Sequence, residues 1–238
     1  MITTVLIDYD GTLHDWDTVI KHSLNGILGL TGEEFYNTWT HDIHRAIIHA
    51  KHMERHDDTQ FHCKLLFKHL NKPHDPQVTE LICQKFQEAA RKAKDDPTYF
   101  PDAIPALDEI KKMGLKLCLS TGTNAEAKAQ TLKHATGTDY FDHVFSEPTI
   151  GCFKTEPEYY HTALKRANSK PHETVSIGDT PLSDIRPAKI AGIHTIWLNR
   201  DGEPRPPTED QRADHEVENL LQAAQLLRTN LDARQNQT

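Results

Sequence analysis

The sequence of 238 residues contains few cysteines, and none of them lie close together. The four cysteines form no C-x-x-C pair that would indicate a clustered site. We interpret Cys63, Cys83, Cys118 and Cys152 as reduced thiols, and we predict a cytoplasmic protein on that basis.

Long apolar runs and long basic stretches are also absent. No run approaches the roughly 20 apolar residues that cross a bilayer, and the N-terminus leads directly into a strand-like stretch, so we expect neither a membrane partner nor a signal peptide. The net charge is −8, which argues against nucleic acid as a partner. An acidic chain that binds phosphate needs a local cation or a metal. With 37% hydrophobic and 26% charged residues, the composition is typical of a soluble globular protein.

One stretch, Val5–Leu13, combines a buried-strand pattern with two acids. Its first three residues are apolar and predict a strand that is buried on both faces. Asp8 and Asp10 follow at once, and Gly11 then allows a sharp turn. Two carboxylates at a strand tip are unfavourable in a core, so this pattern indicates a functional site.

The rest of the chain falls into two regimes. Residues 16–94 contain helical spacings and no good strand candidate, which predicts about four helices. From about Pro97 onward, strand and helix patterns alternate, which predicts a parallel α/β sheet with helices on both faces. We therefore expect a Rossmann-like core, residues 1–15 and 95–238, interrupted by an all-helical cap, residues 16–94. We predict that Asp102 caps the N-terminus of a helix. Near the C-terminus we predict a closing helix over Glu216–Leu227. We expect the last residues, from Gln235 to Thr238, to be frayed.

Four groups of polar residues follow four predicted strands of this core. Because the carboxyl ends of parallel strands meet at one edge of a sheet, these groups are expected to converge on one crevice. They are Asp8 with Asp10, Ser120–Asn124, Lys154, and Gly178-Asp179 with Asp184.

The chemistry of these residues suits phosphoryl transfer. Carboxylates at about 4 Å repel one another by roughly 4 kcal/mol per pair at an effective dielectric near 20, and an oxygen-only set that needs a cation indicates Mg²⁺. Asp8 can act as a carboxylate nucleophile, and Asp10 as a general acid and base. The amides of Gly122 and Thr123, placed by this prediction at the start of the next helix, add an anion site.

These motifs resemble those of the haloacid dehalogenase superfamily. DYDGT at Asp8, LSTGT around Thr121, the lysine of GCFKTEPEYY and GDTPLSD at Gly178 occur in the order of that family's four motifs, and the helical insert matches its cap. The resemblance implies a phospho-aspartyl intermediate on Asp8, and phosphate contacts from Thr121, Gly122 and Lys154. It implies that Mg²⁺ is bound by Asp8, the backbone carbonyl of Asp10, Asp179 and Asp184.

The substrate then expected is a small-molecule phosphate ester, hydrolysed by a monomer or a homodimer. Three alternatives remain open: a phosphoglucomutase-like phosphotransferase, a phosphonate hydrolase that uses the same site, and a non-catalytic binding protein. The hydroxyl that contacts phosphate also stays open between Ser120 and Thr121, because it depends on where the strand ends.

The predicted cap is rich in histidine. His49, His52 and His56 share one face if this stretch is a single helix, at i, i+3 and i+7 spacing. Such a face could bind a transition metal or a phosphate-bearing substrate. Because no acid or cysteine is placed to complete a zinc set, we interpret it as a polar, solvated surface.

Overall fold

A computed structural model describes the backbone of residues 1–235 and the side chains of residues 1–229. Of the predicted frayed end, Gln235 is the last residue of a helix, and residues 236–238 lie outside the described residues. The chain divides into two compact units, Met1–Asp15 with the chain from Pro97 onward, and Trp16–Asp96. No helix within the described part of the chain combines the length and apolarity that a membrane span requires.

The unit Trp16–Asp96 consists of helices. Its last long helix begins at Pro76, which occupies the first helical position, and Asp75 caps it by accepting hydrogen bonds from the N–H groups of Gln77 and Val78. The elements are α1 (Trp16–Ser23), a 3₁₀ turn (Ile27–Gly29), α2 (Gly32–Asn37), a π-helix (Thr38–Ile48), α3 (His49–Lys51), a 3₁₀ turn (Met53–Arg55), α4 (Thr59–His69) and α5 (Pro76–Asp95).

The other unit is built on a six-stranded sheet in which every neighbouring pair is parallel. The strands are β1 (Thr4–Ile7), β2 (Lys116–Thr121), β3 (His143–Ser146), β4 (Thr174–Gly178), β5 (His194–Leu198) and β6 (His215–Val217). Their order is β3-β2-β1-β4-β5-β6. This confirms the predicted Rossmann-like sheet, and its order reverses direction at β1, which is where such sheets bind ligands.

Helices cover both faces of the sheet. Alternate residues of β1 point to opposite faces: Val5 and Ile7 pack with Leu107 and Leu220, whereas Leu6 packs with Tyr160. The helices of this unit are α6 (Ala103–Lys112), α7 (Ala125–Thr136), α8 (Glu147–Ile150), α9 (Pro157–Ala167), α10 (Arg186–Ile190) and α11 (Leu220–Gln235), with 3₁₀ turns at Pro171–Glu173 and Glu209–Gln211 and a π turn at Pro181–Ile185.

The predicted closing helix at Glu216–Leu227 is wrong at its start. Residues 215–217 form β6, which pairs with β5 and buries only Val217, and α11 begins at Leu220. A three-residue strand with one buried side chain carries too little periodicity to be seen in the sequence.

Asp102 precedes α6 as predicted, but its side chain does not cap that helix. Its carboxylate accepts the N–H of Leu220 at 2.6 Å and pairs with Arg200. It therefore satisfies the first backbone donor of α11 and joins two helices that are distant in sequence.

Candidate active site

The turn after β1 places the first two acids. The carbonyl of Tyr9 accepts hydrogen bonds from the N–H groups of Leu13 and His14, which closes the turn tightly. Gly11 has φ +75, and a Cβ there would lie 2.8 Å from Cγ of Asp179. Glycine is therefore required at this position both for the backbone conformation and for the close approach of the Asp179 carboxylate.

Lys154 joins two of the predicted acids in a buried cluster. Its Nζ lies 2.5 Å from Oδ1 of Asp8 and 2.6 Å from Oδ1 of Asp184, and its side chain is only 5% exposed. Burial alone would lower the pKa of Lys154, but Asp184 and Asp8 outweigh it and raise that pKa well above its usual value. The lysine is therefore charged at neutral pH.

For the pKa of Asp8, burial outweighs the nearby positive charge. Burial raises its pKa to about 7, although the Lys154 ammonium acts in the opposite direction. Burial also raises the pKa of Asp184. The cluster therefore favours a further positive charge, because such a charge would hold both carboxyls in the ionised form.

Asp179 completes a set of three carboxylates at the ends of β1 and β4. Oxygen atoms of Asp8, Asp179 and Asp184 all lie within 4.8 Å of one another. At that distance and an effective dielectric near 20, each ionised pair repels by about 3.5 kcal/mol. Three carboxylates and one ammonium leave two negative charges when all are ionised, which is the charge that a divalent cation cancels.

Local structure explains how these oxygens come together. The indole N–H of Trp197 donates to the carbonyl of Asp179 at 2.8 Å, and Oδ2 of Asp184 accepts the N–H of Thr180 at 2.9 Å. A Cβ on Gly178 would lie 2.2 Å from Cγ of Asp184. A larger residue at that position would therefore displace the Asp184 carboxylate.

Asp10 lies on the same turn but has its own partners. Lys128 Nζ is 2.6 Å from its Oδ2, and His14 Nδ1 is 3.1 Å from its Oδ1. Burial by itself raises the pKa of Asp10, but Lys128 and His14 outweigh it and lower that pKa to about 2. Asp10 is therefore a carboxylate at neutral pH.

Lys128 also contacts the last residue of β2. Its Nζ donates to Oγ1 of Thr121 at 2.9 Å, which links Thr121 to Asp10. Ser120 contacts the hydroxyl of Tyr159 instead, at 3.3 Å. The strand ends at Thr121, so it is the Thr121 hydroxyl that is joined to the site.

The helix after β2, α7, begins at Ala125 after a left-handed Asn124, so Gly122 and Thr123 precede its first turn. Gly122 therefore lies in the connecting loop, where its carbonyl accepts the N–H of Glu147 at 2.9 Å. No hydrogen bond described within residues 1–235 joins the Gly122 amide to the acidic cluster.

Sequence reasoning missed Lys128 and His14. Lys128 lies in the first turns of α7, where a positive charge opposes the helix dipole, and that unfavourable placement was a usable signal. His14 follows Asp10 by four residues and is 2% exposed, but the burial that makes it notable is not visible in the sequence.

Comparisons with known proteins agree with this geometry. A family model described as haloacid dehalogenase-like hydrolase matches residues 2–192. The chain is 30% identical over 108 residues to a phosphoserine phosphatase of Thermus thermophilus, covering 45% of this chain and 43% of that protein. It is 30% identical over 129 residues to a glyceraldehyde 3-phosphate phosphatase of Methanocaldococcus jannaschii, covering 54% and 56%. The match therefore spans about half the length of these relatives.

Solved structures share the fold. The HAD-hydrolase YfnB from Bacillus subtilis, bound to magnesium, superposes with a TM-score of 0.75 at 20% identity, covering 95% of this chain and 98% of that one. An L-2-haloacid dehalogenase from Xanthobacter autotrophicus gives a TM-score of 0.67 at 21% identity, covering 96% and 99%. At these identities the similarity concerns the fold alone.

Proposed function

Because the chain belongs to the haloacid dehalogenase-like hydrolase family, we propose that it is a Mg²⁺-dependent phosphatase that hydrolyses a small-molecule phosphomonoester. The observation that carries this proposal is the convergence of Asp8, Asp179 and Asp184, two of which, Asp8 and Asp184, pair with Lys154. The names of the matched relatives, both phosphatases of small phosphate esters, support the same reaction class.

The donor set fits a hard divalent cation. All three candidate ligands are carboxylates, and the set includes neither histidine nor cysteine. Mg²⁺ favours oxygen ligands of this kind, and the two uncancelled negative charges match its charge. Asp8, Asp179, Asp184 and the backbone carbonyl of Asp10 are the proposed ligands. The bound ion would offset the negative charge of the substrate phosphate.

Asp8 is the proposed nucleophile. Its carboxylate oxygen attacks phosphorus, the bond from phosphorus to the ester oxygen breaks, and the leaving oxygen takes a proton from Asp10. Water then attacks the phospho-aspartyl group and gives a proton to Asp10. The bond between phosphorus and the Asp8 oxygen breaks, which releases inorganic phosphate and restores both acids.

The ionised state of Asp10 suits the second step, in which it accepts a proton from water. The first step needs a protonated Asp10, so Lys128 has to release that carboxylate. An incoming phosphate is a competing acceptor for the Lys128 ammonium, which already contacts Thr121. We infer that phosphate binding draws Lys128 away from Asp10 and raises the Asp10 pKa when the acid is needed. Thr121 and Lys154 are the further proposed phosphate contacts, and Gly122 stays a prediction.

The central test is Asp8→Asn, which keeps the size of the side chain and removes the nucleophilic carboxylate. We expect phosphate release from p-nitrophenyl phosphate with Mg²⁺ to fall at least about 1,000-fold, because removal of a nucleophile leaves only the residual effects of binding. Removing divalent ions with EDTA should also abolish turnover of the wild type, and added Mg²⁺ should restore it.

The matched control is Asp108→Asn, since Asp108 accepts a hydrogen bond from Tyr140 and is not part of the site. Full activity of Asp8→Asn with an intact circular dichroism spectrum would exclude the assigned nucleophile. Conversion of a sugar phosphate into its isomer without phosphate release would favour the phosphotransferase. The cytoplasmic location and the monomeric or homodimeric state remain predictions.

A further inference from the structure

The helical unit contains a compact cluster of histidines that the proposed phosphatase reaction does not use. The rings of His44 and His49 have centroids 4.3 Å apart, those of His44 and His56 are 4.9 Å apart, and those of His49 and His56 are 5.2 Å apart. His62 stacks on His44 at 5.2 Å. We call these four residues the histidine cluster.

This cluster differs from the predicted trio of His49, His52 and His56. The helix that carries His49 ends at Lys51, and His52 leaves helical geometry with φ −142. The His52 ring then packs against Phe61 at 5.3 Å. His44 is the partner that the prediction missed.

The π-helix explains why His44 and His49 meet. The N–H of His49 donates to the carbonyl of His44, five residues earlier. In an α-helix, positions five apart differ by about 140° around the axis. The wider π-helix turns by about 82° per residue, so the same two positions differ by only about 50°. The two rings therefore lie on the same side, and such π segments frequently occur at functional sites.

Hydrogen bonds determine which nitrogen of His44 carries a lone pair. Nδ1 of His62 lies 2.8 Å from the carbonyl of Asp58, which can only accept, so this nitrogen carries the proton. In a neutral His62, Nε2 is then an acceptor, and it lies 2.9 Å from Nδ1 of His44. Nδ1 of His44 therefore donates, which leaves Nε2 of His44 as a ligand atom.

The other two rings are close enough to share an ion. Nε2 of His49 lies 3.2 Å from Nδ1 of His56. Two ligand nitrogens around a tetrahedral Zn²⁺, with bonds of about 2.05 Å, are about 3.3 Å apart. Nδ1 of His49 is buried and makes no hydrogen bond among the described residues. Only one of the two ring nitrogens of His49 thus has a hydrogen-bond partner among the described residues.

The rings of His44 and His49 are also in the uncharged state that a metal requires. Burial, and next the neighbouring imidazoles, lower the pKa of His44 to about 2 and that of His49 to about 3. Both rings are therefore uncharged at neutral pH, so each has one nitrogen lone pair available to a metal.

We propose that His44, His49 and His56 bind a transition-metal dication of the Zn²⁺ class, with a fourth coordination position open to water. Their candidate ligand nitrogens all lie within 4.8 Å of one another. His62 would hold His44 in orientation through the chain of hydrogen bonds to Asp58, which is the supporting arrangement that metal-bound histidines usually have.

The chemistry of the surroundings selects the class of metal. Three imidazoles favour Zn²⁺, Co²⁺, Ni²⁺ or Cu²⁺ over Mg²⁺ and Ca²⁺. Arg45 acts as a positive charge on His44 and His49, which further disfavours cations that form weak bonds with nitrogen. The Asp57 carboxylate lies 3.7 Å from Nε2 of His56. It favours the His56 tautomer with the proton on Nε2, which leaves the lone pair on Nδ1, the nitrogen that faces His49.

The test is a Co²⁺ titration of the full chain without a histidine tag, in excess Mg²⁺ to occupy the acidic site. We expect one Co²⁺ per chain, detected by calorimetry and by the visible absorption of tetrahedral nitrogen coordination. His56→Asn should weaken Co²⁺ binding by about 100-fold or more, because loss of even a supporting partner costs 10- to 100-fold. Zn²⁺ should compete with Co²⁺.

Two variants serve as controls. His69→Asn changes another histidine of the helical unit, 42% exposed and 3.4 Å from Asp42, and should leave Co²⁺ affinity unchanged. Asp179→Asn alters the acidic cluster and should also leave it unchanged. Equal affinity in all variants, absence of tetrahedral absorption, or loss of binding in Asp179→Asn alone would each overturn the proposal.

A second measurement needs no variant and applies even if His56→Asn fails to fold. In a ¹H–¹⁵N spectrum of the wild type, Zn²⁺ should shift the ring-nitrogen resonances of the metal-binding histidines, namely His44, His49 and His56. The ring nitrogens of His69 should not move. Shifts spread evenly over all histidines would contradict a defined site.

Discussion

An ion pair that the sequence does not reveal supports the turn carrying the proposed nucleophile. Asp102 and Arg200 form two hydrogen bonds, of 3.0 Å and 2.9 Å, and their side chains are 14% and 16% exposed. Nη2 of Arg200 also donates to the carbonyl of Thr12 at 2.9 Å. The perturbation that tests this link is Asp102→Asn, which keeps the shape of the side chain and removes its charge.

We expect Asp102→Asn to lower the free energy of unfolding by about 3 kcal/mol. Removal of one partner from a buried ion pair costs roughly 3–5 kcal/mol, since the other charge is left unpaired, and the residual exposure of this pair favours the lower end. Arg200→Met should cost a similar amount. The double variant should show a coupling energy of about 2 kcal/mol, within the range typical of contacting residues.

The pH dependence has a definite sign. Burial alone would raise the pKa of Asp102, but hydrogen bonds from Arg200 and from the N–H of Leu220 outweigh it and lower that pKa below 3.8. Stabilisation by the ionised carboxylate is therefore fully present above about pH 4 and is lost as the pH falls through the lowered pKa. Asp102→Asn should remove this acid-dependent loss.

The assay is urea unfolding at pH 7, followed by circular dichroism and tryptophan fluorescence, with coincident transitions required. The exposed pair Lys133–Asp139, 2.7 Å apart with side chains 46% and 64% exposed, is the matched control and should couple by less than about 1 kcal/mol. A coupling energy for Asp102 and Arg200 below about 0.5 kcal/mol would refute the reasoning.

Two further substitutions test the site. Gly11→Ala should lower the free energy of unfolding by about 1–2 kcal/mol, because φ +75 is unfavourable for alanine. It should also weaken Mg²⁺ binding, measured by calorimetry, because the added Cβ displaces Asp179. The control Gly122→Ala has no atom within 4 Å of its added Cβ and should change neither the stability nor the Mg²⁺ affinity. Lys128→Met should raise the pKa of Asp10 from about 2 by about one to three units, measured by ¹³C NMR of the carboxyl groups. An unchanged Asp10 pKa would contradict the role given to Lys128.

The parts of the site that the sequence predicts are those set by the sheet. In a parallel sheet the residues that follow adjacent strands meet at one edge, and Ile7 aligns with both Leu119 and Ile177. Asp8 and Asp179 are therefore close because their strands end within one residue of each other. This inference needs only the strand ends, which apolar runs indicate well.

Contacts that depend on side-chain packing between distant elements were not predictable in this way. The position of Lys128 against Asp10 depends on how α7 packs against β2 and β3, and Asp102 meets Leu220 only because α11 lies beside α6. Each of these residues has an ordinary surface role available to it, as a solvated lysine or a helix cap. Their sequence neighbours do not distinguish the two roles.

The histidine prediction failed for a different reason, because the α-helical spacing rule on which it rested does not hold in this segment. Positions three, four and seven apart share a face only while the backbone keeps 3.6 residues per turn. The π-helix that ends at Ile48 changes that repeat, so His49 faces His44, and the break after Lys51 removes His52 from the group. A π segment is unfavourable in isolation and persists only when its surroundings stabilise it. If a metal bound by His44 and His49 contributes to that stabilisation, Zn²⁺ should slow amide hydrogen exchange at Ile48 and His49 in the wild type and should have no such effect in His56→Asn.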